Sequence, residues 1–182
     1  YVGGVITDRD YLLVQTVEGM SSRFNLDIRV CSEVVSIDRE NKKVHVAGPD
    51  GEYDESYDKL VLATGAVPVV PKVAGTDLPG VFVLHDLNDT FKIRDNVKKD
   101  GKAVVVGGGF IGLELAENLV HAGMKVTMLE FAQQVMPPLD PEMAVMLEKE
   151  LKSNGVNLQL GDGLSAIEKD GGALKVVSSS GN

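Results

Sequence analysis

The sequence has no tryptophan, a single cysteine and only 5% aromatic residues among 182. One cysteine, Cys31, excludes an internal disulfide framework and fits a reducing compartment. No signal-peptide pattern is present, which agrees with a cytoplasmic location. Positive charge is scarce: 18 Lys and Arg stand against 27 Asp and Glu, giving a net charge of -9. That balance, with no basic stripe and no aromatic-basic interleaving, disfavours a nucleic-acid partner. No apolar run approaches the roughly 20 residues of a membrane span, so no membrane partner is expected and the chain reads as soluble. No metal site is expected, and there is neither an internal repeat nor a low-complexity tract. The chain also lacks an initial Met. It starts at Tyr1 and stops at Ser178-Ser179-Ser180-Gly181-Asn182, directly after an apolar strand, so it is expected to be a fragment.

What is present is ample apolar material, 43% of residues, enough for one large domain or two small ones. Residues 12 to 24 contain a short polar helix candidate. From Asp27 the pattern changes to strands, DIRV, EVVSI and KKVHVA, with turn chemistry at 38–41 and 48–51, so a meander is expected. Cys31 falls within this pattern as a small buried strand residue, not a nucleophile. KLVLATG, residues 59–65, reads as a mostly apolar buried strand, followed by a stretch broken by Pro68, Pro71 and Pro79. After VFVL comes a helix candidate at about 89–99, closed by Asp100-Gly101.

The unit beginning at Lys102 is better organised. A strand at 102–106 leads into a glycine cluster, and a helix at 110–122 places Ile111, Leu115 and Leu119 on one apolar face, with Glu114 opposite. Gly123 stops that helix, and a strand at 125–130 completes a βαβ unit. Asp140 and Pro141 open a second helix that ends at Asn154-Gly155. A strand at 156–160 and a hairpin turning at 170–172 finish the chain.

Gly107, Gly109 and Gly112 therefore sit after a strand, open a helix and precede an acid, Glu130, 18 residues beyond Gly112. In that context Gly107 permits a tight turn, Gly109 lets a pyrophosphate approach the backbone, and Gly112 lets helix and strand pack closely. The helix N-terminus offers N–H groups and positive dipole to phosphates. Glu130 can accept hydrogen bonds from the ribose hydroxyls and would repel a 2'-phosphate, so NAD is expected over NADP. The alternative is a βαβ unit whose glycines serve packing alone. For Phe110 the alternative is an ordinary core aromatic, and for Glu114 a solvated helix acid.

Two stretches, KLVLATGAVPVVP and VVVGGGFIGLELAENL, together resemble the FAD- and NAD-dependent pyridine nucleotide-disulfide oxidoreductases. YVGGVITDRDYLLVQTVEGM and AQQVMPPLDPEM are similar to the branch of coenzyme A-disulfide reductases and NADH oxidases or peroxidases. The resemblance implies an α/β fold: a partial FAD-binding domain at 1–98 and a Rossmann-type NAD-binding domain, truncated at its C-terminal part, at 99–182. It implies hydride transfer from NAD(P)H by way of FAD to a cysteine that handles a small-molecule disulfide, persulfide, peroxide or oxygen-derived substrate, in a homodimeric parent. Carried onto this chain, it puts Val34, Ala63, Thr64 and Gly65 beside FAD. The run Gly107, Gly108, Gly109, Phe110, Ile111 and Gly112, with Glu114 and Glu130, falls beside the nicotinamide dinucleotide. Phe110 matches an aromatic gate over the flavin, and Glu114 an acid near the nicotinamide carboxamide. Arg23 is expected to be a solvated surface arginine, the alternative being contact with a coenzyme A phosphate in the full enzyme.

The family's first G-x-G-x-x-G, its redox cysteine and its C-terminal interface domain are absent from the sequence, and His85 stands where the family usually has Arg. No catalytic residue is therefore assigned, and the chain alone is expected to be inactive. Two rival readings are a non-catalytic redox-sensing dinucleotide module and a purely structural α/β domain.

Overall fold

The computed structural model describes residues 1–181; Asn182, the last residue of the expected second domain, lies outside the described residues. The chain is α/β and gathers into two compact units. One is Leu13–Ala66, and the other joins Tyr1–Leu12 to Val67–Asn182. The expected domain boundary at 98/99 falls within the latter unit.

In the smaller unit, Val17–Phe24 forms helix α1. Thr16 caps it, its Oγ1 accepting the Gly19 N–H at 3.1 Å, and Asn25 stops it in the left-handed region at φ 54°. Strands β1 (Glu33–Asp38), β2 (Lys43–Gly48) and β3 (Gly51–Ser56) make an antiparallel meander. The first hairpin closes because Asp38 Oδ1 accepts the N–H groups of Glu40 and Asn41 at 3.1 and 3.0 Å, an Asx arrangement. Val44 and Val46 alternate into the unit's interior from the central strand.

Several expectations fail here. DIRV forms no strand, since residues 33–38 already take up the pairing positions along β2 and leave 27–30 without a partner. Cys31 is consequently not buried but exposed in a turn, with φ 53°. KLVLATG is irregular as well, with Val61 85% and Leu62 67% exposed. An apolar strand of that kind is stable when neighbours cover both faces, and among the described residues none pairs with it.

On the outer face of β2, His45 lies between two carboxylates, Nδ1 2.9 Å from Asp54 Oδ1 and Nε2 3.2 Å from Glu52 Oε2. Bonding first to Asp54 and then to Glu52 raises its pKa above the ordinary 6.5. A folded pKa above the unfolded one means a stabilising contribution that is complete below 6.5 and lost as pH rises through the folded value. Urea unfolding of the wild type and His45→Gln should therefore show a stability gap at about pH 6 that closes by about pH 9. A gap of equal size at both would contradict it.

In the larger unit a 3-10 turn at Arg9–Leu12 precedes helix α2, Leu87–Asn96, whose N-cap Asp86 accepts the Asp89 N–H at 2.9 Å. VFVL before it is irregular. Arg94 on α2 donates to the Val2 carbonyl at 2.9 Å and holds the first residues in place. Then follow β4 (Lys102–Val106), α3 (Phe110–His121), β5 (Lys125–Glu130), α4 (Pro141–Ser153) and β6 (Asn157–Leu160). The three strands form a parallel sheet in the order β4-β5-β6, the start of a Rossmann-type arrangement. An antiparallel hairpin, β7 (Leu164–Asp170) and β8 (Ala173–Ser178), completes the unit.

Its core forms where α3 lies on the sheet: Ala116 and Leu119 from the helix meet Val105, Val126 and Met128. Met128 and Val135 are fully buried, and each such side chain contributes about 1.5 to 3 kcal/mol by leaving water. Ile111 departs from its expected place. It is 62% exposed, because it lies in the first turn of α3, beyond the end of β4 at Val106. Among the described residues, no helix is long and apolar enough to cross a membrane.

Candidate functional site

The site is built where β4 turns into α3. Gly107 adopts φ +104°, a conformation that side-chain-bearing residues rarely take, and donates its N–H to the Leu129 carbonyl at 2.9 Å. Gly109 is the N-cap of α3 with extended backbone and no side-chain cap. The Leu113 N–H donates to Gly109 O at 3.0 Å, so the N–H groups of Phe110, Ile111 and Gly112 precede this first bond of the helix ladder. These are the donors that a helix start presents to an anion.

The glycines do different work. A Cβ added at Gly107 or Gly109 meets no heavy atom within 4 Å, so the space beside them is open. A Cβ at Gly112 would overlap the Gly107 carbonyl oxygen. Gly112 is thus required for packing, whereas Gly109 leaves its neighbourhood free for a ligand.

Glu130, at the end of β5, folds back onto this loop. Its Oε2 accepts the Gly108 N–H and its Oε1 accepts the Ala132 N–H at 2.7 Å. Each carboxylate oxygen has a further lone pair, so the group can still accept from a diol. At the carboxyl ends of β4 and β5, where ligands settle in open α/β sheets, lies a cavity of about 250 Å³. Val106, Gly107, Leu129, Phe131, Asp162 and Gly163 are among its walls. Asp162 is 9% exposed and accepts the hydroxyl and N–H of Ser180 at 2.6 and 3.0 Å. Hydrogen bonding, first from Ser178 and then from Ser180, holds its carboxyl below the ordinary carboxylate range.

From the sequence, Phe110 is either an ordinary core aromatic or a gate over the flavin. It is 70% exposed, which removes the core reading. Glu114 is exposed too, but it shares the open side of α3 with Ile111 and does not oppose it, since three residues along a helix turn through about 300°. Gly107, Gly108, Gly109, Gly112 and Glu130 come together in one place, with Phe110, Ile111 and Glu114 on the first turns of the same helix. Val34 lies in β1 paired with Val46, and Ala63, Thr64 and Gly65 are exposed in irregular chain. These four belong to the smaller unit. His85 is exposed and donates its backbone N–H to Asp89, and Arg23 is exposed with its guanidinium 5.2 Å from the Phe24 ring. A larger hollow of about 560 Å³ in the smaller unit surrounds the 48–53 turn and Arg29, whose guanidinium already pairs with Asp27 and Glu55. It contains none of the predicted site residues.

Two contributors were not foreseen. The Met136 N–H donates to Gly108 O at 2.8 Å, and Asp162 lines the cavity. Nothing in AQQVMPPL signals that a backbone amide there reaches the glycine loop.

The sequence profile of the pyridine nucleotide-disulphide oxidoreductases matches residues 4–182. An NADH oxidase of Methanocaldococcus jannaschii is 38% identical over 170 residues, covering 91% of this chain and 38% of that protein. An NAD(P)H sulfur oxidoreductase (CoA-dependent) of Pyrococcus abyssi is 35% identical and covers all of this chain, with 41% of its own length matched. Among solved structures, reduced Bacillus anthracis CoADR-RHD superposes with a TM-score of 0.90 at 46% identity, over 100% of this chain and 33% of that one. An NAD-dependent persulfide reductase from A. fulgidus gives 0.89 at 34% identity, over 100% and 35%. The chain thus spans about two fifths of the length of these curated relatives.

Proposed function

We propose, because this chain belongs to the pyridine nucleotide-disulphide oxidoreductase family, that it binds NAD at the glycine loop and works as part of a longer flavin-dependent NAD(P)H oxidoreductase. Within that protein, two electrons would pass from NAD(P)H by way of FAD to a cysteine in its oxidised, disulfide-bonded form, cleaving that S–S bond, with a disulfide of coenzyme A-disulfide or persulfide type as the substrate. The observation that carries the reading is the contrast among the glycines: Gly112 packed against backbone, Gly107 and Gly109 facing open space beside an uncapped helix start. A glycine serving only as packing would not leave that space.

In this reading the N–H groups opening α3 hold the pyrophosphate and Glu130 holds the adenosine ribose. Glu130 prefers NAD because a 2'-phosphate would place like charge beside its carboxylate. Held there, NAD would supply hydride chemistry at its nicotinamide, with FAD as the acceptor. Phe110 is a lid whose ring shields the transfer from water, and Glu114 orients the carboxamide. Residues 1–98, through Val34, Ala63, Thr64 and Gly65, contribute to FAD binding, and 99–182 to NAD binding. The parent is a cytoplasmic homodimer taking a small disulfide. An NADH oxidase, as the Methanocaldococcus relative is named, would use the same residues of this chain and differ in its terminal acceptor.

Stopped-flow measurement of flavin reduction in the full-length protein tests this reading. Glu114→Gln should slow reduction while leaving NADH affinity largely unchanged, since charge beside the reacting edge matters more as the transition state develops. Phe110→Ala should hasten oxidation of the reduced flavin by oxygen. It should also change stability by less than about 1 kcal/mol, where a core Phe would cost about 3 to 5. A core-sized loss, with reduction unchanged in Glu114→Gln, would make both residues scaffold. Disulfide reductase turnover by the 182-residue chain alone would contradict the need for the longer protein.

A further inference from the structure

We infer that Glu130 is a positioning residue of the glycine loop, fixing through its own hydrogen bonds the backbone that meets the pyrophosphate, in addition to the ribose role proposed above. The ribose role needs only a carboxylate facing the diol. Here both carboxylate oxygens are already engaged by backbone donors, Gly108 on one side and Ala132 on the other.

The engagement has a geometric consequence. The Gly107–Gly108 peptide is fixed through its N–H on Glu130 Oε2, and the Gly108–Gly109 peptide through its C=O, which accepts the Met136 N–H at 2.8 Å. Two consecutive peptide planes are therefore held immediately before the N-cap of α3, in a glycine run with the widest backbone freedom of any sequence. Holding them sets the direction of the N–H groups that follow. The second clamp comes from the segment that begins at Ala132, whose N–H donates to Glu130 Oε1. Met136 is buried at 4% exposure with φ 49°, and Val135 beside it is fully buried, so the segment is anchored and cannot follow a loosened glycine loop. A Cβ at Gly108 would press on Glu130 Oε2 at 3.2 Å and on Val135 Cγ1 at 3.2 Å, so this packing is closed, unlike that at Gly109.

A loop held in place by the protein's own hydrogen bonds has less conformational freedom to lose on binding. Removing it should weaken every ligand that uses the loop, whether or not it carries ribose hydroxyls. A double-mutant-type cycle separates the two roles. NADH and its 2',3'-dideoxyadenosine analogue are each titrated into the wild type, Glu130→Ala and Glu130→Asp. If Glu130 only holds the diol, the analogue binds wild type and Glu130→Ala equally. If it positions the loop, the analogue loses about tenfold, 1.4 kcal/mol, in Glu130→Ala. Glu130→Asp, shorter by one methylene, keeps the charge but not the reach and should not restore it.

Hydrogen exchange in the ligand-free chain supplies a second arm that needs no ligand. The amides of Gly108, Ala132 and Met136 should exchange at least tenfold faster in Glu130→Ala while those of β4, at 103–106, stay unchanged. Unaltered exchange at all three amides overturns the inference. If wild type binds neither dinucleotide, the NAD reading fails, and the exchange arm still decides whether Glu130 holds the loop.

Discussion

Gly112→Ala is expected to destabilise the larger unit by about 3 kcal/mol, the upper range for forcing atoms into closed packing. The added methyl overlaps the Gly107 carbonyl oxygen, with the Val105 side chain 3.5 Å away. Neither neighbour can yield easily. Gly107 is held by its hydrogen bond to the Leu129 carbonyl, and Val105 is buried in the core. Relief would require α3 to lift from β4 and expose Ala116 and Leu119, both now buried. Urea denaturation reads the loss directly. A change below about 0.5 kcal/mol, the ordinary range for surface substitutions, would show that helix and strand are not in this close contact.

Gly109→Ser should behave in the opposite way, and the pair separates packing from binding. The backbone at Gly109, φ -81° and ψ -173°, is one that serine adopts at an N-cap, and a Cβ there meets nothing within 4 Å. The hydroxyl can accept the N–H of Ile111 or Gly112, a cap the helix now lacks. Stability should hold or rise by a few tenths of a kcal/mol, because glycine is already a fair cap. NADH affinity should fall at least about tenfold, because the side chain would take both the space and the donors proposed above for the pyrophosphate. Isothermal titration beside a thermal melt measures both. Unchanged NADH affinity would remove the pyrophosphate from this helix start.

The larger unit was legible in the sequence because its signals are local. Lys102–Val106 and Lys125–Glu130 are short apolar strands, Asp140-Pro141 and Gly123 are helix punctuation, and the spacing from Gly112 to Glu130 follows from one strand, one helix and another strand. Where the smaller unit was misread, partners decided the outcome. DIRV and KLVLATG have strand composition, but β2 is already paired on both sides and no strand among the described residues pairs with 59–65. Composition states a preference, whereas a strand needs a neighbour. Cys31 followed from the same error: once DIRV is not a strand, nothing buries it. On α3, spacing assigned Ile111 to the core because a helical wheel does not know where the sheet ends. The contacts of Gly108 with Glu130 and Met136 join residues 22 or more positions apart, and no periodicity reports such a closure.

The open glycine loop and Glu130 are proposed above as one NAD site. Equilibrium titration of the 182-residue chain with NADH and NADPH, at matched ionic strength, tests it most directly. NADH should bind saturably and at least about tenfold tighter than NADPH, with the gap narrowing in Glu130→Ala as the like-charge repulsion disappears. Equal or tighter binding of NADPH by the unmodified chain would contradict the role given to Glu130, and binding of neither would contradict the site itself.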